Sequence, residues 1–148
     1  MTWLMDGVQP ISVTAVTKRI KPGIYPKVDD DATILVEYPN ATGIIEASWN
    51  WPFNIKDMEL FGQTGYIQAV NSNTLRVKQD NSADYSIIKA KPLAKAYSSH
   101  LDYLAALLRN EINPVNDLSS LENNLIVVKI LEAAKQSARE GRKVVLSK

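Results

Sequence analysis

The sequence contains no cysteine and a single histidine, His100. Disulfides, thiol catalysis and thiolate metal sites are therefore excluded. One histidine cannot alone supply the three or four ligands of a transition-metal centre, so no metal is expected. The common catalytic templates are missing as well: there is no G-x-G-x-x-G after a strand, no G-x-x-x-x-G-K-[ST], no G-x-S-x-G and no H-E-x-x-H. Neither sign of charge is in excess. Seventeen basic residues stand against 16 acidic ones along the chain, and the basic stripe that binds nucleic acid is absent, so nucleic acid is not an expected partner. The first residues, Met1-Thr2-Trp3-Leu4-Met5-Asp6-Gly7, lack the sections of a secretory signal, which leaves the cytoplasm as the default compartment.

What is present is a globular balance of 45% apolar and 22% charged residues over a length of 148. That is enough for one domain with a real core, and no membrane partner is implied. Trp3-Leu4-Met5 reads as the last turn of an amphipathic helix stopped by Gly7. So short a helix does not repay its nucleation cost, and the expectation is that the sequence begins inside an element of a longer natural chain.

Strand signals follow. Ile11 to Lys18 is rich in β-branched residues, and Lys21-Pro22-Gly23 and Tyr25-Pro26 break it into a loop. Ala32 to Tyr38 and Ile44 to Trp51 flank the turn Pro39-Asn40-Ala41-Thr42-Gly43 and read as a hairpin. Short strands are expected at Asp57 to Phe61, Tyr66 to Val70, Thr74 to Lys78 and Tyr85 to Lys89. Gly62-Gln63-Thr64-Gly65, Asn71-Ser72-Asn73 and Asp80-Asn81-Ser82-Ala83-Asp84 separate them, which implies antiparallel meanders.

After Pro92 the period changes. Tyr97, Leu101, Leu104 and Leu108 share one face of a helix from about Lys95 to Asn110, ended by Asn113-Pro114. Ser119-Ser120-Leu121-Glu122 has the form of a capping box. A helix of about twenty residues follows it, with stripes Leu121, Leu125, Val128 and Val127, Leu131, Ala134, Ala138, and with Gly141 as its stop. Lys143 to Leu146 is a final strand. The expected fold is α+β: a large open, mostly antiparallel sheet with helices on one face and the other face free for oligomer contacts.

Three groups of residues invite a chemical reading. Ser98, Ser99, His100 and Asp102 suggest a relay, but neighbours one and two positions apart on a helix point to different faces, so a solvated or interface histidine is preferred. Asp29-Asp30-Asp31 suits a hard cation, yet it lacks the glycine and distal glutamate of a calcium loop. A solvated start to the strand, or pairing with Lys18, Arg19 or Lys27, is the better reading. Trp49-Asn50-Trp51-Pro52-Phe53-Asn54 combines aromatic rings, which stack on the C–H faces of a sugar or cyclitol, with amides that bond hydroxyls. Alternatively, Trp49 and Trp51 are core or interface anchors on one strand face.

In order along the chain, Thr2 to Gly7 with Val13-Thr14-Ala15, Asp29 to Leu35, Gly43 to Trp49, Glu59 to Ile67 and Ala134 to Val144 resemble the C-terminal domain of the glucose-fructose oxidoreductase, inositol dehydrogenase and MocA-like oxidoreductase family. No single motif is diagnostic, but the set spans nearly the whole chain. The resemblance implies a preceding Rossmann domain that binds NAD or NADP, a lysine motif and a G-x-H-x-x-D helix, all outside this sequence. It also implies that the open sheet serves oligomer contacts. In related dehydrogenases the loop before the Glu-x-x-Gly strand reaches the substrate, and by position that loop is Trp51 to Asn54. Some relatives carry tyrosines there, where this sequence has Pro52 and Asn54.

The expectation is therefore a C-terminal substrate-binding and oligomerisation domain over residues 1–148 of a two-domain NAD(P)-dependent sugar, cyclitol or polyol oxidoreductase. Trp51, Phe53 and Asn54 are its substrate wall, catalytic and cofactor-binding residues lie elsewhere, and the chain alone is inactive. The other reading is a non-catalytic carbohydrate-binding or assembly domain.

Overall fold

The computed structural model describes residues 1–79, 84–115 and 117–146. The strands are β1 (Ser12–Lys18), β2 (Asp31–Glu37), β3 (Thr42–Ser48), β4 (Met58–Phe61), β5 (Gly65–Asn71), β6 (Thr74–Gln79), β7 (Ser86–Lys89) and β8 (Val144–Val145). The helices are α1 (His100–Leu108) and α2 (Leu121–Glu140), with 3-10 turns at Thr2–Met5 and Lys95–Tyr97. Every expected strand is present, although β3 begins inside the expected turn, at Thr42, and ends at Ser48 rather than Trp51, and every pairing is antiparallel. The turn expected at residues 80–83 lies outside the described residues. The fold is α+β as expected, with its strands divided between two four-stranded sheets, β3-β2-β1-β8 and β4-β5-β6-β7. Two compact units result: Met1–Trp51 with Asn113–Lys148, and Pro52–Ile112.

In the first unit, alternation decides which side of each strand is buried. Val13 and Ala15 of β1 and Ile34 and Val36 of β2 turn one way and form a core with Ile126, Ile130, Ala133 and Ala134 of α2. The residues between them, Val16, Leu35 and Ile44, stay exposed on the free sheet face. That is the open apolar face expected of the sheet. The turn at Thr2–Met5 lies on the covered side, because Met5 packs against the core and a Cβ at Gly43 would collide with the Met1 thioether. Its left-handed end falls on Asp6 as well as on the expected Gly7, with φ of 49° and 73°.

Helix α2 differs from expectation at its start and on its inner side. Ser120, not Ser119, is the cap, accepting the Asn123 N–H at 3.2 Å. Ile126, Ile130, Ala133, Ala134 and Ser137 face the sheet, while Leu121, Leu125 and Val128 remain exposed. The small residues explain the choice: alanines and a serine let the helix approach β1 closely. Gly141 ends α2 in the left-handed conformation, φ 65°, as its position implies.

The fully buried Ser137 joins the two layers. Along β1, period two turns the backbones of Val13 and Ala15 toward the same edge, and β8 pairs only as far as Val13. Beyond that point the Ser137 hydroxyl accepts the Ala15 N–H at 2.9 Å and donates to the Arg142 carbonyl at 2.7 Å.

In the second unit, α1 begins later than the apolar period suggests. Ser99 is extended, and its Oγ accepts the Asp102 N–H at 3.1 Å, so the helix starts at His100 after a separate 3-10 turn. It ends at Leu108, and Asn110 beyond it is left-handed at φ 56°, with Glu111 N–H bonded to the Ala106 carbonyl, before Asn113-Pro114 is reached. Leu101, Leu104 and Leu108 are exposed, and Ala106 is the one buried residue of this helix.

Replacing Ser137 with alanine strands a buried N–H and a carbonyl at once, each without a partner. Ser137→Ala is expected to lower unfolding free energy by about 1–3 kcal/mol. It should appear as a lower denaturant midpoint at unchanged m-value.

Candidate functional site

The loop between β1 and β2 is built around Asp30. Its carboxylate, buried with the residue, accepts the N–H groups of Ile20 at 2.7 Å and Lys21 at 2.8 Å. Its backbone carbonyl accepts Trp49 N–H at 2.8 Å and Asn50 Nδ2 at 3.1 Å. Asp29 takes the Thr17 hydroxyl at 2.6 Å. Two members of the aspartate triplet thus serve hydroxyl and amide donors rather than the lysines and arginine considered from sequence. Among the described residues, no three His, Asp or Glu side chains gather to hold a metal ion.

The same contacts end β3 and aim the aromatic run. After Ser48 the chain turns, because the Ser48 Oγ accepts the Asn50 N–H at 3.1 Å. Lys21 Nζ reaches the Trp49 carbonyl at 3.1 Å. The Trp49 and Tyr25 rings lie 4.9 Å apart at 50°. Trp49 and Trp51 therefore leave the strand before they can act as anchors on its face, and they stand 61% and 39% exposed. Phe53 is 67% exposed, and Asn54 is exposed too. Of the expected residues, Trp51 ends the first unit, and Phe53 and Asn54 belong to the second. Sequence reading missed Asp30, Lys21 and Tyr25 as the frame of this run. The signal was available only in part, since a loop of 12 residues between strands, 19–30, needs some internal anchor.

Ser98 and Ser99 do bond Asp102, at 2.8 Å and 2.7 Å, contrary to the expectation that they face apart. They precede the helix and so are not bound by its angular spacing. The hydroxyls of Ser99 and then Ser98 hold the Asp102 carboxyl below its ordinary value. The group is a helix cap, with His100 on the first turn behind it.

A second polar surface, not singled out from sequence, lies on the sheet of the second unit. Cross-strand register aligns Glu59, Gln68 and Arg76 in one row and Phe61, Tyr66 and Lys78 in the next. Glu59 accepts Tyr66 Oη at 2.7 Å and Gln68 Nε2 at 3.0 Å, and the hydrogen bond to Glu59 helps push Tyr66 up to about 12. Arg76 and Lys78 lie over the Tyr85 ring at 4.5 and 5.5 Å. The alternation in Glu59/Phe61 and Arg76/Lys78 was the legible sign. In the first unit, an open cleft of about 440 Å³ runs beside α2 and β8, lined by Lys129, Glu132, Gln136 and Arg139 among others. It contains none of the expected substrate residues.

Burial alone would raise the Asp30 pKa, but the Ile20 and Lys21 N–H groups outweigh it and hold the carboxyl below its ordinary 3.8. A lowered folded-state pKa contributes stability that is complete above the ordinary value and is lost as pH falls through the folded one. The native chain is therefore expected to lose stability below pH 3.8. Asp30→Asn should begin less stable at neutral pH and show a shallower acid dependence in denaturant titrations at several pH values.

Residues 1–68 match the family model described as the GFO/IDH/MocA C-terminal domain. No curated protein matches the chain by sequence. Among solved structures, a protein from Thermotoga maritima described as an oxidoreductase aligns at TM-score 0.77 and 14% identity, over 95% of this chain and 42% of that one. An NAD binding oxidoreductase from Klebsiella pneumoniae aligns at TM-score 0.71 and 19% identity, over 95% and 46%. The WlbA dehydrogenase from Chromobacterium violaceum, solved with NADH and UDP-GlcNAcA, aligns at 0.64 and 20%, over 94% and 41%. This chain spans less than half the length of each, and at these identities the likeness is one of fold. Of the stretches that resemble the glucose-fructose oxidoreductase, inositol dehydrogenase and MocA-like C-terminal domain, those from Thr2 to Ile67 fall within the residues that the family model matches, 1–68, and the aligned structures share the fold over nearly the whole chain.

Proposed function

We propose that this chain is the C-terminal, substrate-side part of an NAD(P)-dependent oxidoreductase that transfers hydride between nicotinamide and a hydroxyl of a sugar, cyclitol or related polyol. The observation that carries the reading is the family match over residues 1–68, joined to coverage of less than half of each aligned oxidoreductase. NAD or NADP belongs, in this reading, to a Rossmann domain ahead of Met1. Among the described residues the positive-φ glycines, Gly7 and Gly141, follow helix ends, whereas a pyrophosphate cradle needs its glycines where a helix begins.

The role left to this half is binding and orientation. Trp51 and Phe53 offer ring faces to the C–H surface of the substrate and displace water from it, and the Asn54 amide bonds a hydroxyl. Held in this way, a carbinol keeps one hydrogen directed at the cofactor side. The free sheet face with Val16, Leu35 and Ile44 serves a homo-oligomer, and the cytoplasm remains the default setting. No helix among the described residues is long and apolar enough to cross a membrane. The exposed aromatic run also favours a second reading, a non-catalytic carbohydrate-binding or assembly domain. A parent sequence without G-x-G-x-x-G upstream of Met1 would select it.

Titration of the 148-residue chain with NADH and with NADP⁺ tests the assignment. No binding tighter than about 1 mM, roughly −4 kcal/mol, is expected, and tighter binding would overturn it. In the two-domain parent, Trp51→Ala and Asn54→Ala should each raise KM for the polyol about 2- to 10-fold with little change in kcat, the worth of one contact made equally in ground and transition states.

A further inference from the structure

Lys21 is held differently from the other cations of the loop between β1 and β2. Its Nζ donates to the Trp49 carbonyl at 3.1 Å, and its own carbonyl accepts the N–H groups of Ile24 at 3.0 Å and Tyr25 at 2.9 Å. Both ends of the residue are thereby fixed, and it is half-buried, whereas Lys18, Arg19 and Lys27 are exposed. The Tyr25 and Trp49 rings that meet at 4.9 Å are tied to this one lysine, Tyr25 through its amide and Trp49 through its carbonyl. A lysine ammonium has three donors, of which the Trp49 carbonyl takes one. Among the described residues no carboxylate takes the others. The Asp30 oxygens accept the Ile20 and Lys21 N–H groups, Asp29 accepts the Thr17 hydroxyl, and none of Lys18, Arg19, Lys21 and Lys27 is ion-paired.

We propose that Lys21, with the Tyr25 and Trp49 rings, is an anion subsite at the start of the substrate wall, and that the polyol taken by the parent carries a carboxylate or phosphate group. The inference rests on the polyol-binding reading given above and narrows its substrate class. An anionic oxygen meets the remaining N–H donors of Lys21 in charge-assisted hydrogen bonds, about twice as strong as those of a neutral hydroxyl. The ammonium is already immobilised on the Trp49 carbonyl, so it loses less side-chain freedom on binding than a free surface lysine does. Trp49, propped by Tyr25 and still 61% exposed, offers an apolar face beside that charge to the C–H surface of the attached ring. Trp51 follows two residues on in the same compact unit, and the Asp30 carbonyl pins the segment between them through Trp49 N–H and Asn50 Nδ2. Arg19 Nε is turned to the Val28 carbonyl at 3.2 Å. One fixed cation, and not a row of them, is on offer, which matches a single anionic group on a small molecule.

The test uses the two-domain parent, with D-glucose, D-glucuronate and glucose 6-phosphate as probes that share one ring and differ in charge. Binding is followed by titration calorimetry at low ionic strength, without turnover. At least one of the anions should bind about tenfold more tightly than glucose. Lys21→Met should remove that preference, lowering anion affinity about tenfold and glucose affinity by less than about twofold, and Lys21→Arg should keep most of it. Tighter binding of glucuronate identifies a carboxylate and tighter binding of glucose 6-phosphate a phosphate, and either supports the subsite. Binding of neither anion more tightly than glucose would overturn it. So would a loss in Lys21→Met shared equally by all the probes, because Lys21 would then be only a prop for Trp49. NADH and NADP⁺ binding by the parent is measured separately. A parent that binds either dinucleotide but shows no preference for an anion refutes the subsite alone. One whose anion preference depends on Lys21 and which binds neither dinucleotide supports the subsite and refutes the oxidoreductase reading.

Discussion

Past Val13, β1 has no strand on its β8 edge, and the Ser137 hydroxyl stands in for one. Everything else in the first unit depends on that substitution of a side chain for a strand. It fixes the depth of α2 against β1, since an N···O distance of 2.9 Å admits only small residues between helix and sheet. Ala133 and Ala134 satisfy that limit. It also ties the helix end to the chain leading into β8 through the Arg142 carbonyl. Lys143 then reaches Glu37 at 2.7 Å across from Ser12, closing the end of the sheet.

The strands were legible because their boundaries are written in residues with one dominant physical effect: proline without an N–H, and asparagine, aspartate and glycine in tight turns. The helices were less so. The Leu121, Leu125 and Val128 line is more apolar than the line that faces the sheet, and hydrophobicity alone cannot show that closeness of approach outweighs side-chain bulk. Ser99 and Asp102 were visible but pointed two ways, to a relay or to a cap. Only their position ahead of the helix decides between these. The division into two sheets depends on register between strands, which periodicity within a strand does not contain.

The aromatic run was found from its composition, while its setting was not. Trp49 and Trp51 alternate as though they continued β3, and what ends the strand is the Ser48 hydroxyl together with the carbonyl of Asp30, 18 residues earlier in the chain than Ser48. Contacts of that separation carry no local signature. A buried carboxylate that organises backbone amides instead of meeting a cation is likewise indistinguishable, in sequence, from the acidic start of a solvated strand.

Among the described residues, β4 to β7 contain no fully buried side chain. A four-stranded sheet wet on both faces gains little from its apolar side chains, and its hydrogen bonds compete with water at every rung. Most of the cooperativity of this chain must then reside in the layer beneath α2, with the second sheet opening and closing at lower cost.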